Sequence, residues 1–216
     1  MTKKISISLA LLFIASVSFG QKTELTLKDA VMQQYRDFAP KSLSMFKWLP
    51  NTDCYSYLDD YTKLMKASVK NTDAKEILTI QKLNEKLGSE LYWFSGFDWK
   101  NENEFWVNDG QNYFSYNLVD SLGKRLHGLD DKSENGTFHQ GTENLAYTKD
   151  NNVYIHSGKG LKIIVTDNED KNIVSGQAIA RSEFGIINGL FWSNDGNSIA
   201  YYQKDETNVG DYPLLD

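Results

Sequence analysis

Trp192-Ser193-Asn194-Asp195-Gly196-Asn197-Ser198-Ile199-Ala200-Tyr201 repeats, without a gap, the order of Trp48-Leu49-Pro50-Asn51-Thr52-Asp53-Cys54-Tyr55-Ser56-Tyr57. Each stretch reads as a Trp, a polar turn, an apolar or aromatic residue, a small residue and a Tyr. Looser copies start at Trp99 (Trp99-Lys100-Asn101-Glu102-Asn103-Glu104-Phe105-Trp106) and at Phe138, which runs to Leu145-Ala146-Tyr147. Trp48 and Trp99 are about 50 residues apart and Trp99 and Trp192 about two such periods apart, the spacing of propeller blades. The physical unit is plain. A Trp at a strand end fills the gap between adjacent sheets, the Asn/Asp/Gly turn tolerates left-handed backbone, and the small residue lets sheets approach. The competing reading is an antiparallel sandwich with fortuitous Trp spacing.

Outward from the repeats, short β-rich runs alternate with turn residues. Tyr55-Ser56-Tyr57-Leu58, Glu76-Ile77-Leu78-Thr79, Glu104-Phe105-Trp106-Val107 and Asn112-Tyr113-Phe114-Ser115-Tyr116 are examples, followed by runs at 145–148, 153–155 and 161–165. That pattern predicts an all-β protein. Residues 27–38, with Leu27, Ala30, Val31, Gln34 and Phe38 at helical spacing, predict one short helix. The expected fold is a partial β-propeller, about three blades plus the start of a fourth. Closed propellers have about 4–8 blades, so the expectation is that the chain is a fragment of a longer protein.

Composition narrows the function. With 23 basic and 29 acidic residues the net charge is −6, and a chain without excess Lys and Arg is a poor partner for nucleic acid. The 13% aromatic content argues for a folded chain. One cysteine, Cys54, excludes an internal disulfide framework and a multi-cysteine zinc site; it reads as a small apolar core residue. Residues 1–20 open with Lys3 and Lys4, continue through an apolar run and end in Ser18-Phe19-Gly20. This is the pattern of a secretory signal peptide, too short for the roughly 20 apolar residues of a span. Residues 1–20 are therefore expected to be removed, 21–216 to form the incomplete propeller, and the product to be exported to a periplasm or medium.

The segment Asn172-Ile173-Val174-Ser175-Gly176-Gln177-Ala178-Ile179-Ala180-Arg181-Ser182-Glu183-Phe184-Gly185-Ile186-Ile187-Asn188-Gly189-Leu190-Phe191-Trp192-Ser193 and on to Tyr201 resembles the propeller region of the dipeptidyl peptidase IV family, and more closely its bacterial prolyl tripeptidyl branch. The upstream Leu145-Ala146-Tyr147 and Asn152-Val153-Tyr154-Ile155 resemble the family's blade hairpin. The resemblance covers residues 113–216, with the blade pattern alone before that. It implies an N-terminal propeller joined to a C-terminal α/β-hydrolase domain, and a serine exopeptidase that releases short peptides from N-termini, usually after proline. It also implies that Glu183 sits where the family offers glutamate to the substrate's α-ammonium group. A carboxylate suits that task because it pairs with a charged amine and rejects a blocked one. Arg181 would orient Glu183 or face solvent. Dipeptidyl peptidase IV carries adjacent glutamates there, whereas this chain has Arg181-Ser182-Glu183; a single acid fits the tripeptidyl branch better. The implied partners are peptides with a free N-terminus, the rest of the propeller, the hydrolase domain and, for the full-length parent, a second copy.

No Gly-x-Ser-x-Gly elbow occurs in the sequence, so no catalytic residue is expected here and the chain alone is expected to be inactive. His127, His139 and His156 read as sheet-surface or loop residues. Asp167-Asn168-Glu169-Asp170 lacks the Gly and distal Glu of a calcium loop and reads as a solvated turn. Asn135-Gly136-Thr137 reads as a turn, Asp59-Asp60 as a carboxylate pair without a placeable partner, and residues 63–86 as a solvated charged face. No cofactor or metal is expected. The alternative function is a non-catalytic periplasmic propeller-type binding module.

Overall fold

A computed structural model describes residues 26–40, 42–71, 73–179 and 183–210. Residues 1–20, where the signal peptide is expected, lie outside the described residues. The chain divides into two compact units, Met1–Ser42 and Leu43–Asp216. In the first, Thr26 caps a helical turn. Its hydroxyl accepts from the Asp29 N–H at 3.1 Å and donates to the Asp29 carboxylate at 2.7 Å, and the turn widens into a π-helix at Asp29–Gln33. The helix expected over residues 27–38 is thus present but shorter and looser.

The second unit is built from antiparallel sheets. The first holds β1 (Ser44–Trp48), β2 (Cys54–Asp59), β3 (Lys63–Ser68) and β4 (Lys75–Thr79), in that order. The second holds β5 (Phe97–Trp99), β6 (Glu104–Asn108), β7 (Asn112–Asn117) and β8 (Leu122–Gly128), again in chain order. The third holds β9 (Glu134–His139), β10 (Asn144–Lys149), β11 (Asn152–His156) and β12 (Lys162–Ile164). Two strand pairs follow: β13 (Ile173–Ser175) with β16 (Gln203–Asp205), and β14 (Leu190–Trp192) with β15 (Ile199–Tyr201).

The repeat seen in the sequence is a repeat of cross-strand pairs. Trp48 faces Tyr55, Trp99 faces Phe105, Phe138 faces Leu145 and Trp192 faces Ile199, each across the first hairpin of its sheet. Each later Trp reaches back to the preceding sheet. The Trp99 indole N–H donates to Ser56 Oγ at 2.8 Å, and that of Trp192 to the Thr137 carbonyl at 2.9 Å. Trp48 has no earlier sheet behind it among the described residues and is 56% exposed, against 5% for Trp99. It stacks edge-on with Phe46 and Tyr55 on an open aromatic face.

One core joins the first two sheets. Leu58, Leu64, Leu78, Phe97, Phe105 and Phe114 meet there, and burial of such side chains contributes about 1.5–3 kcal/mol each. The core also takes Ile80 and Leu83 from α1 (Ile80–Leu87), a helix that the sequence reading did not anticipate. Thr79 caps it in extended backbone and accepts from Lys82 N–H, and Gly88 ends it at φ 62°. The charged residues of 63–86 do face solvent, with Lys63, Lys70, Lys75, Glu76, Lys82, Glu85 and Lys86 exposed, while Leu64, Ala67, Leu78, Ile80 and Leu83 turn inward and are buried. Asn135-Gly136-Thr137 is not a turn but part of β9. Asn135 takes φ 56° at an irregularity in the pairing with β10 and donates to Thr148 Oγ1 at 2.9 Å.

The second and third sheets are clasped through Glu143, which sits at φ 55° in the turn before β10. Its carboxylate accepts from Lys100 Nζ at 2.9 Å and Trp106 Nε1 at 3.1 Å, and its carbonyl accepts from His127 Nε2 at 2.5 Å. Asp98 adds a second tie, pairing with Lys47 of β1 at 3.2 Å and accepting from Gln140 at 2.7 Å.

Candidate functional site

The site begins with a strand that is interrupted. β13 and β14 both pair with the same run of chain, residues 199–205: Ser175 lies opposite Gln203 and Leu190 opposite Tyr201. Between those registers Tyr202 stitches both sides. Its carbonyl accepts from Gly176 N–H at 2.8 Å and its N–H donates to the Gly189 carbonyl at 3.0 Å. β13 and β14 are thus two halves of one strand line, and residues 177–189 leave it and return to it.

Two glycines make this neck. Gly176 has φ 79°, and a Cβ on it would come within 2.5 Å of Thr148 Cγ2 and 2.8 Å of Val153 Cγ2. A Cβ on Gly189 would fall into the backbone of Gly176 and Gln177. At the root, Gln177 donates to Glu134 Oε2 at 2.8 Å, and Ala178 is buried. Beyond the root the described apolar side chains of the excursion are exposed. Ile179, Phe184, Ile186 and Ile187 all face solvent, Phe184 at 95%. Glu183 opens a one-turn 3-10 segment, Glu183–Gly185, in which Phe184 takes φ 54° and Gly185 φ 74°. Arg181 lies outside the described residues, so of the two residues expected at this site only the backbone of Glu183 is placed.

The histidines are structural. His127 is buried and gives its Nε2 proton to Glu143, which corrects its reading as a surface residue. Its ring lies 6.1 Å from that of His156, whose Nε2 is 3.0 Å from Tyr147 Oη. Burial, with the charges of Lys162 and His127, holds His156 below its ordinary pKa. His139 Nδ1 accepts from Thr142 N–H at 3.1 Å, leaving Nε2 to face the Asn194 carbonyl at 3.3 Å. Among the described residues none of the three hydrogen-bonds to a serine in the manner of a nucleophile and base. Ser157 hydrogen-bonds within its own turn, its Oγ accepting from Leu161 N–H at 3.0 Å. Among the described residues no group of three or more His, Cys, Asp or Glu is placed to hold a metal ion, and no helix is long and apolar enough to cross a membrane. The 167–170 segment is tied into its surroundings: Asn168 donates to Asn152 and Ser175.

The sequence model described as the dipeptidyl peptidase IV (DPP IV) N-terminal region matches residues 97–216, more than half of the chain and all of the excursion. The chain belongs to that family. Among curated relatives, a Podospora anserina protein assigned as dipeptidyl-aminopeptidase B is 34% identical over 74 residues, which is 32% of this chain and 8% of the relative. Its Uncinocarpus reesii counterpart is 27% identical over 110 residues, 48% of this chain and 12% of the relative. A Bacteroides ovatus structure assigned as dipeptidyl aminopeptidase IV superposes with TM-score 0.65 at 27% identity, covering 82% of this chain and 24% of that one. Porphyromonas gingivalis dipeptidyl peptidase 4 superposes with TM-score 0.57 at 19% identity, covering 87% of this chain and 28% of that one. The DPP IV N-terminal-region chain thus spans about a quarter of the length of these solved structures. The neck glycines escaped the sequence reading, although the order Gly176, Glu183-Phe184, Gly189, Phe191-Trp192-Ser193 was the signal that could have found them.

Proposed function

We propose that the sheets are blades of a β-propeller belonging to an exported serine exopeptidase of the prolyl di- or tripeptidyl type, and that the excursion offers Glu183 to the α-ammonium group of a peptide substrate. The observation that carries this reading is the excursion itself: an exposed loop held at a two-glycine neck, with an acidic residue in its tight turn. Membership of the DPP IV N-terminal-region family supports it. The uncovered aromatic face around Trp48 supports a ring completed by sequence outside these 216 residues. In this reading the propeller restricts entry to short peptides, and the hydrolysis is carried out by an α/β-hydrolase domain outside the chain.

The test is made in the enzyme that carries this region together with its hydrolase domain. Glu183→Gln removes a charge-assisted contact of about 1.5–3 kcal/mol. It should raise KM and lower kcat/KM on dipeptidyl and tripeptidyl prolyl anilides, leaving the slow cleavage of N-acetylated analogues unchanged. An unchanged kcat/KM on free-amine substrates removes Glu183 from the site. The ratio of dipeptidyl to tripeptidyl kcat/KM in the parent enzyme decides the number of residues released.

A further inference from the structure

The segment joining the first sheet to the second ends in a rigid aromatic tip. After α1, Asn84 clamps the chain. Its side chain donates to the Leu91 carbonyl at 2.9 Å and accepts from Leu91 N–H at 2.9 Å and from Ser89 Oγ at 2.8 Å. Phe94 N–H then donates to the Tyr61 carbonyl at 3.0 Å. Leu91 and Phe94 are buried, only 7% and 1% exposed, yet the two residues between them stand in solvent, Tyr92 85% and Trp93 55% exposed. The loop is anchored on both sides while its largest apolar groups stay wet. Packing does not ask for that, and held, adjacent aromatics in water mark a binding surface.

Beside the tip lies an open cavity of about 390 Å³, whose lining includes Glu90, Tyr92, Trp93, Asp109, Gln111 and Asn112. The lining carries two carboxylates and no basic side chain. Asp109 is committed to its own turn, accepting from the N–H groups of Gln111 and Asn112 at 2.8 and 2.6 Å. Its charge remains, but its oxygens are occupied. The exposed Glu90 carboxylate makes no hydrogen bond or ion pair among the described residues. A negative cavity walled by π-faces selects a cation, and a guanidinium, planar and weakly hydrated, suits aromatic faces better than an ammonium does.

We propose that this cavity binds an arginine side chain of an extended peptide, stacked on Trp93 and paired with Glu90. The site is separate from Glu183 and does not depend on that residue's role. A sugar would also stack on Trp93, but neutral hydroxyls gain nothing from the two carboxylates, so the charge of the lining favours the peptide.

The experiment uses the full chain, labelled with nitrogen-15. Acetyl-Gly-Arg-Gly-amide has no free amine and so cannot use the contact proposed for Glu183. Titrated to about 10 mM, it should shift the Trp93 indole N–H resonance and the Gln111 amide along a saturable curve. Replacing arginine with citrulline, neutral and nearly isosteric, should weaken binding about tenfold or more. Glu90→Gln should weaken it about fivefold, and Trp93→Ala should abolish it; both positions are exposed, so the fold is retained. Absence of any shift, equal binding of the citrulline peptide, or a response to chito-oligosaccharides in place of the arginine peptide would each overturn the proposal without touching the Glu183 reading.

Discussion

Ser56 and Trp99 lie 43 residues apart in sequence and are joined by one buried hydrogen bond of 2.8 Å between the Trp99 indole and Ser56 Oγ. Ser56 has no exposed surface and its hydroxyl faces the Lys47 carbonyl at 3.4 Å, so one small side chain ties β1, β2 and β5 together. Ser56→Ala leaves the indole N–H buried without an acceptor, at a cost of about 1–3 kcal/mol. The urea midpoint should fall accordingly. Trp99→Phe in the Ser56→Ala background should cost less than the two single changes added together. Strict additivity would show that the bond does not couple the sheets.

The neck of the excursion should tolerate no side chain. Gly189→Ala drives a Cβ into the backbone of Gly176 and Gln177, where no rotamer change gives relief, and should destabilise by about 1–3 kcal/mol. The Tyr202 amide, which bridges the neck, should exchange with solvent faster. Gly210→Ala meets nothing within 4 Å and serves as the control, with a change within about 0.5 kcal/mol.

Glu143 should be an acid-sensitive clasp. Burial raises its pKa, but the hydrogen bonds from Lys100 and Trp106 and the Lys100 charge outweigh burial and hold the carboxyl below its ordinary value of 4.5. A depressed carboxyl contributes stability that is present above that ordinary value and is lost as pH falls through the folded one. Glu143→Gln, which keeps an acceptor for Trp106 and removes the charge, should flatten the fall of the urea midpoint below about pH 4.5. Glu143→Ala should in addition lower the midpoint at neutral pH.

The imidazole pair should add a second pH dependence. His156 is held below its ordinary 6.5 by burial and by the Lys162 and His127 charges, with Asp130 opposing them. The unfolded chain therefore takes up this proton at a higher pH than the folded chain does. The contribution is present above about pH 6.5 and is lost as pH falls through the folded value. His156→Gln retains a partner for Tyr147 and should reduce the drop in urea midpoint between about pH 7.5 and about pH 5.5. An identical drop in the variant would assign that slope to other groups.

The strands and their repeat were legible because they are local. Alternation and turn residues mark β2, β6, β7 and β10, and the Trp-to-Tyr unit marks the first hairpin of each sheet. What was hidden depends on tertiary contact. α1 lies in a charged window, and only Thr79 and Gly88 announce its ends; Ile80 and Leu83 become core residues because two sheets meet over them. His127 reads as a surface residue until β8 packs beside the Glu143 turn. The excursion was recognised through Glu183, but its geometry was not, because a strand that stops and resumes shows no period of its own. The resumption is visible only through residues 199–205, which pair with both halves.

That shared partner strand has a consequence for how such a protein can change. The hydrogen-bonding ladder runs from Ser175 opposite Gln203 to Leu190 opposite Tyr201, with Gly176 and Gly189 sharing Tyr202 between them, and the residues between the two glycines do not enter its count. Insertions or deletions within the detour leave the sheet register untouched. Its reach and its charge are therefore free to drift while the scaffold that carries it stays fixed.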